Sequence, residues 1–121
     1  MSIVLDTNTV IYLLGGRLAD PFPGGGYGIS IITEIELLSY PALSIDEERR
    51  INTLLATVTV IDITPVVRDA AIRLRRVHRL KVPDAIIAGT AVALDAELMT
   101  NDVRLARIPE LRCQPPQFRE S

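Results

Sequence analysis

The sequence is poor in the residues that most often carry chemistry. It has one cysteine, Cys113, one histidine, His78, and no tryptophan. A single cysteine excludes an internal disulfide and the usual cysteine-based zinc sites. Cys113 and His78 allow a nucleophile–base pair in principle. A lone cysteine reads first as a packing residue, in a reducing compartment. Aromatic residues are 4% of the chain, so the core has to be built from Ile, Leu, Val and Ala. Long apolar runs are missing too. The longest, Ala85 to Leu94, is interrupted by Gly89 and Thr90 and is too short to span a bilayer. Residues 1–15 carry Asp6 and lack a basic start and a small-residue cleavage site, so no signal peptide is read there. The expectation is a soluble, cytoplasmic protein with no membrane role. An excess of either charge is also lacking, with a formal net charge of -2. Bulk charge gives nucleic acid no handle, and any such surface must be local.

What is present fits one folded domain over residues 1–121. The apolar share of 48% is enough for a core, and the length suits a single domain. Ile3-Val4-Leu5 is a short apolar run that ends abruptly in Asp6. A buried parallel strand reads this way because helices cover both of its faces. The pattern predicts a strand over 2–6, then a helix from Val10 to Leu14 capped by Thr7 or Asn8 and ended by Gly15-Gly16. Residues 17–28 read as a loop. Its Gly24-Gly25-Gly26 run lacks the Gly-Lys-Ser/Thr of a phosphate loop.

A second strand is expected from Gly28 to Ile32, and a helix from Thr33 to about Ser39. Ser44-x-x-Glu47 has the capping-box pattern, with Ile51, Leu54 and Leu55 at helical spacing. Thr57 to Ile63 is β-branched and predicts a third strand. Thr64-Pro65 opens a helix with Val67, Ala70, Ala71, Leu74 and Val77 on one face. Pro83-Asp84 opens another. Glu97 to Thr100 reads as a strand, Val103 to Ile108 as a turn or two of helix, and Leu111 to Cys113 as an edge strand. Strands alternating with helices predict an α/β fold with a parallel sheet between helices.

Four acids fall at element boundaries in this reading. Asp6 ends the first strand, Glu36 lies in the first turn of its helix, Asp84 starts another helix, and Asp102 follows a strand end. In open α/β sheets, ligand sites lie just beyond the carboxyl ends of the strands. Each acid also has a plainer explanation. Thr33-x-x-Glu36 is a capping box, Asp84 an N-cap, Asp6 a cap for its own helix, and Asp102 a turn residue. Glu34 and Asp62 are competitors expected to face solvent.

Electrostatics favours a joint role. Two like charges 4 Å apart repel by about 4 kcal/mol at an effective dielectric of 20. Four carboxylates in one cleft must therefore take up protons or bind a cation. An all-oxygen donor set suits hard cations such as Mg²⁺ or Mn²⁺. Such ions activate water and clamp a phosphodiester, which points to phosphodiester hydrolysis. Thr7, Asn8, Thr100 and Asn101 are candidates to orient the acids or the substrate, with capping and turn formation as the alternative. Basic residues cluster at Arg68, Arg73, Arg75, Arg76, Arg79 and Lys81. From these, Arg68, Arg75, Arg76, Arg79 and Lys81 are candidate nucleic-acid contacts, the alternative being a solvated helix face.

These residues resemble the motifs of a known family. Val4-Leu5-Asp6-Thr7-Asn8, Ile29-Ser30-Ile31-Ile32-Thr33-Glu34-Ile35-Glu36-Leu37, Pro83-Asp84-Ala85-Ile86-Ile87-Ala88 and Met99-Thr100-Asn101-Asp102 are similar, in order, to those of the PIN-domain ribonucleases, and most closely to VapC-type toxins of type II toxin–antitoxin systems. The resemblance runs from Ile3 to about Ile108. It implies a three-layer α/β/α PIN-like fold with a central, mostly parallel sheet of about five strands. It implies an endoribonuclease that uses Mg²⁺ or Mn²⁺, with Asp6, Glu36, Asp84 and Asp102 as the catalytic and metal-binding acids. It also implies an RNA substrate (tRNA, rRNA or mRNA), a VapB-like antitoxin that inserts into the active-site groove, and a homodimer. The chain departs from relatives in its compact, glycine-rich stretch from Arg17 to Tyr27.

Two other classes fit these residues less well. A non-catalytic PIN-like module that binds RNA or protein has no need for a repulsive acid cluster. An Asp-x-Asp phosphatase would want an acid where Asn8 stands, and a phosphoreceiver would want a late lysine and an acidic pair near the first strand end.

Overall fold

The computed structural model describes residues 3–19 and 26–120. Half of the predicted loop over 17–28, including Pro21, Pro23 and Gly24-Gly25, lies outside these residues. The elements run β1 (Ile3–Leu5), α1 (Thr7–Leu14), β2 (Tyr27–Ser30), α2 (Ile31–Leu38), α3 (Ile45–Leu55), β3 (Thr59–Ile61), α4 (Pro65–His78), α5 (Val82–Ala93), β4 (Glu97–Met99), α6 (Val103–Ala106) and β5 (Cys113–Gln114). The strands form one five-stranded sheet in the order β3-β2-β1-β4-β5, with every pairing parallel. The expected three-layer arrangement follows from β1. Successive strand residues point to opposite faces. Val4, registered with Leu98, belongs to an apolar cluster with Leu74 of α4, Ala88 of α5 and Leu105 of α6. Leu5, registered with Met99, belongs to a second cluster with Val10 of α1, Leu37 of α2 and Ile51 of α3. Both faces of the central strand are therefore dry, as its uninterrupted apolar run requires.

Several element starts differ from the sequence reading. Asp6 itself caps α1, accepting a hydrogen bond from the Thr9 amide at 2.8 Å. Thr7 and Asn8 are already inside the helix. Strand β2 ends at Ser30, registered with Ile61, and Ser30 caps α2 by accepting from the Ile32 amide at 3.1 Å. The helix thus begins at Ile31 rather than Thr33, so the Thr33-x-x-Glu36 capping box does not exist. Glu36 lies in the second turn, facing the site. Asp84 is not an N-cap either. Lys81 holds that position and Pro83 follows inside the first turn. The Ser44–Glu47 box does form in both directions, at 3.0 and 3.1 Å, and Thr64 caps α4 ahead of Pro65.

The edge strands are shorter or displaced. β3 is trimmed to Thr59–Ile61 because Thr57 closes the end of α3 through its amide to the Leu54 carbonyl. β5 falls at Cys113–Gln114, because Leu111 turns into the core instead. Val77, expected on the buried face of α4, is 63% exposed. The chain leaves the helix at Arg79 in the left-handed conformation, φ 56°, and Leu80 takes the buried place.

Gly89 sets how closely α4 and α5 approach. A β-carbon there would lie 2.8 Å from the Ala71 backbone nitrogen and 3.1 Å from the Val67 carbonyl oxygen. Those are backbone atoms with no room to yield. The two helices meet where Gly89 faces Val67 and Ala71, with Ala71, Ala85 and Ala88 buried in one apolar cluster. This contact fixes α5, whose first turn carries Asp84.

Candidate active site

The parallel sheet brings the four acids together as its topology allows. Asp6 follows β1, and Asp102 lies three residues past the end of the neighbouring β4. Glu36 comes from α2 and Asp84 from α5. All four line one cleft of about 160 Å³, together with Thr7 and Asn8 and between the apolar side chains of Ile11, Ile87 and Leu105.

Each acid is held differently. Asp6 is 7% exposed. Its Oδ1 accepts from the Thr9 amide at 2.8 Å, and its Oδ2 accepts from the Thr100 hydroxyl at 2.5 Å. Thr100 in turn accepts from the Asp102 amide at 3.0 Å. One hydroxyl thereby ties the end of β4 to the end of β1. Thr9, which sequence reasoning passed over, is fully buried and donates to the Met99 carbonyl at 3.0 Å. Glu36 is oriented by Thr7, whose hydroxyl donates to Glu36 Oε1 at 2.7 Å and lies 3.0 Å from the Thr33 hydroxyl. Asp102 caps α6, accepting from the Arg104 amide at 2.8 Å. A carboxylate offers about four lone-pair sites, so these bonds leave each acid room to accept more.

The charges in the cleft are not balanced internally. The Asp84 carboxyl is pushed above the ordinary aspartate value by burial first, then by the negative charge of Asp102, and less by Glu36. Arg104 and Lys81 act in the opposite direction. Among the described residues, no three Asp, Glu, His or Cys side chains already stand in a metal-binding group. The donor set still fits a hard divalent cation. It is all oxygen, its acids repel one another, and its side chains sit on four separate elements that a cation would draw inward.

The other sequence candidates sort clearly. Asn8 is exposed and lines the cleft. Thr100 acts through Asp6. Asn101 is exposed and lines an adjacent hollow beside Cys113 and Gln114 instead. Asp62 is exposed as expected, whereas Glu34 is half-buried. Neither lines the acid cleft. Cys113 packs partly buried against the core, with its thiol on the Leu105 carbonyl at 3.7 Å. Burial, and then the charge of Asp6, push that thiol's pKa up. His78 meets Glu110 at 3.1 Å. The nucleophile–base pair is thus not assembled.

Arg68, Arg75, Arg76, Arg79 and Lys81 are all exposed. Arg68 forms an ion pair with Asp69 at 3.1 Å. A larger hollow of about 280 Å³ lies between α1, α2 and α3, lined by Ile11, Leu14, Leu37, Tyr40 and Ile51. It is mostly apolar, with Glu47 and Arg50 as its charged lining and no cluster of acids, so its size does not make it the reactive site. It shares Ile11 and Tyr40 with the acid cleft.

A family model described as the PIN domain matches residues 3–111. No curated protein matches the sequence significantly. Among solved structures, a toxin–antitoxin complex from Klebsiella pneumoniae is similar at 33% identity, covering 91% of this chain and 95% of that one, with a TM-score of 0.78. VapBC2 from Rickettsia felis, bound to a DNA fragment from its promoter, matches at 22% identity over 97% of this chain and 100% of that one, TM-score 0.84. VapBC-1 from nontypeable Haemophilus influenzae matches at 25% identity over 95% and 98%, TM-score 0.76.

Proposed function

The chain belongs to the PIN domain family, and on that premise we propose that it is a metal-dependent endoribonuclease, the toxin of a toxin–antitoxin pair. The observation that carries this reading is the meeting of Asp6, Glu36, Asp84 and Asp102, from four separate stretches, in one cleft. A binding module gains nothing from such a repulsive set. Mg²⁺ or Mn²⁺ bound there would supply an activated water and neutralise charge on the phosphodiester. Asp6, Glu36, Asp84 and Asp102 are the residues to hold it.

The chain's own part is positioning. Thr9 and Thr100 lock both oxygens of Asp6, and Thr7 aims Glu36. Such supporting bonds fix ligand direction and favour the ionised carboxylate. Asn8, exposed at the cleft, is placed to meet substrate. Ile11, Ile87 and Leu105 limit water around the acids, which strengthens every charge interaction inside.

The similar Klebsiella structure is a toxin–antitoxin complex, which supports a VapB-like antitoxin as partner here. The apolar hollow between α1, α2 and α3 shares Ile11 and Tyr40 with the acid cleft. An antitoxin segment lying in that hollow would reach the acids and block them. A homodimer working in the cytoplasm completes the proposal. No helix among the described residues is long and apolar enough to cross a membrane.

The test compares the chain with Asp6→Asn on total RNA plus Mg²⁺ or Mn²⁺. Asn caps a helix as well as Asp, so the variant keeps its fold. Discrete fragments from the unaltered chain alone, abolished by EDTA, support the reading. Equal cutting by Asp6→Asn removes Asp6 from the site, and no cutting by the unaltered chain rejects the nuclease.

A further inference from the structure

A polyanion approaching four carboxylates is repelled unless cations at the rim answer its charge. Two stand there, on different elements. Lys81 is the N-cap residue of α5, three positions before Asp84. Arg104 lies in α6, and its amide donates to Asp102. Both charged groups are near enough to Asp84 to pull on its carboxyl. Both are exposed. Yet neither side chain forms an ion pair or hydrogen bond among the described residues. They remain beside the acids, available to a third charge.

Two of the chain's other cations are already paired. Arg112 is engaged with Asp95 at 3.2 Å, and Arg68 with Asp69 at 3.1 Å. Arg68 also sits in the first turn of α4. At 1.5 Å per residue it is about 15 Å along the axis from the helix end that leads to Lys81. The basic cluster seen in the sequence therefore divides. Its near end adjoins the cleft, its far end does not, and Arg104 joins the near end from elsewhere in the chain.

Resting on the nuclease reading above, we propose that Lys81 and Arg104 are phosphate-binding residues that seat the RNA backbone over the acid cleft. The approach of substrate then has a physical basis despite the net charge of -2. Recognition through phosphates is independent of sequence, so these two residues set affinity and register rather than choice of base.

The experiment measures binding of a labelled single-stranded RNA oligonucleotide to the full chain by anisotropy, across a range of salt. Each phosphate neutralised on a single strand contributes about 0.7 to the slope of log K against log salt. Lys81→Gln and Arg104→Gln should each lower the slope by about 0.7, and the double variant by about 1.4. Arg104→Lys keeps the charge and should keep the slope. Arg68→Gln should leave it unchanged.

In cleavage assays the double variant should raise KM while kcat holds, the signature of lost uniform binding. Both side chains are exposed, so melting temperatures should match. Unchanged slope and unchanged KM in the double variant, with RNA still cut by the unaltered chain, overturn the proposal and leave the nuclease standing. If the unaltered chain cuts no RNA with either metal, the nuclease reading fails and this proposal falls with it.

Discussion

Helix α5 takes part in two regions built on opposite principles. At its start, Asp84 is pressed toward Asp102 and Glu36, and its charge is disfavoured. At its middle, Gly89 and its alanine neighbours close against α4 with no space left. The first region holds unfavourable energy that a ligand can relieve. The second holds favourable energy that any added atom removes. The difference teaches where substitutions should separate stability from function. Changes at the helix contact should unfold the chain and carry activity down with it. Changes in the cleft should leave the fold intact, or improve it, while activity is lost.

The largest expected effect is in the packed region. Leu74→Ala empties a fully buried site between α4 and the sheet. It should cost about 2–5 kcal/mol, read by denaturant melts. A loss below 1 kcal/mol would mean that this core is looser than its contacts imply. Gly89→Ala comes next. In an open helix, that change gains about 1 kcal/mol. Here the new methyl meets backbone at 2.8 Å, and overpacking typically costs about 1–3 kcal/mol. The clash should win, and the melting temperature should fall. A rise would show that α4 yields.

The cleft gives smaller effects of another kind. Thr100→Val removes the hydroxyl that holds Asp6 and keeps the shape. Metal affinity should fall about 10- to 100-fold, measured by Mn²⁺ titration calorimetry on the folded variant, and the melting temperature should fall too, because Asp6 and the Asp102 amide lose a buried partner. Unchanged affinity would reduce Thr100 to a turn residue.

The smallest effect is a gain. Burial and neighbouring acids raise the Asp84 pKa, so the folded chain holds that proton more tightly than the unfolded one. Asp84 then costs stability as pH rises from the ordinary aspartate value through its raised value, and the cost persists above it. Asp84→Asn should therefore raise the melting temperature of metal-free protein at neutral pH, and the gain should vanish in strong acid. Added Mn²⁺ should stabilise the unaltered chain more than this variant. In the same window, metal affinity of the unaltered chain should weaken as pH falls and Asp84 takes up its proton. A lower melting point for metal-free Asp84→Asn would place Asp84 outside the repulsive cluster.

Much of this contrast was legible in the residues. The run Ile3-Val4-Leu5-Asp6 marked a buried strand with an acid at its end, and β1 is the central strand. Ser44-x-x-Glu47 and Thr64-Pro65 named two helix starts correctly, because both signals are local hydrogen-bond patterns. The start of α2 was not legible. Ser30 and Thr33 are both able caps, and the choice between them depends on where pairing with β3 stops. That choice removed the capping alternative for Glu36. The burial of Leu80 in place of Val77 was hidden for a similar reason. It depends on a left-handed residue, Arg79, that no local pattern marked.

By itself, the sequence determined the order of strands and helices, the apolar set for two dry faces, and an all-oxygen set of four acids. These follow from periodicity, composition and side-chain chemistry, which belong to the chain before it folds. Only the tertiary structure decided that the acids share one cleft. It alone decided that Thr100 reaches across to Asp6 and Thr7 to Glu36, and that Lys81 and Arg104 stand beside Asp84 without pairing. Those facts depend on distances between residues far apart in the chain. The parallel register of the sheet and the close approach that Gly89 permits are what set them.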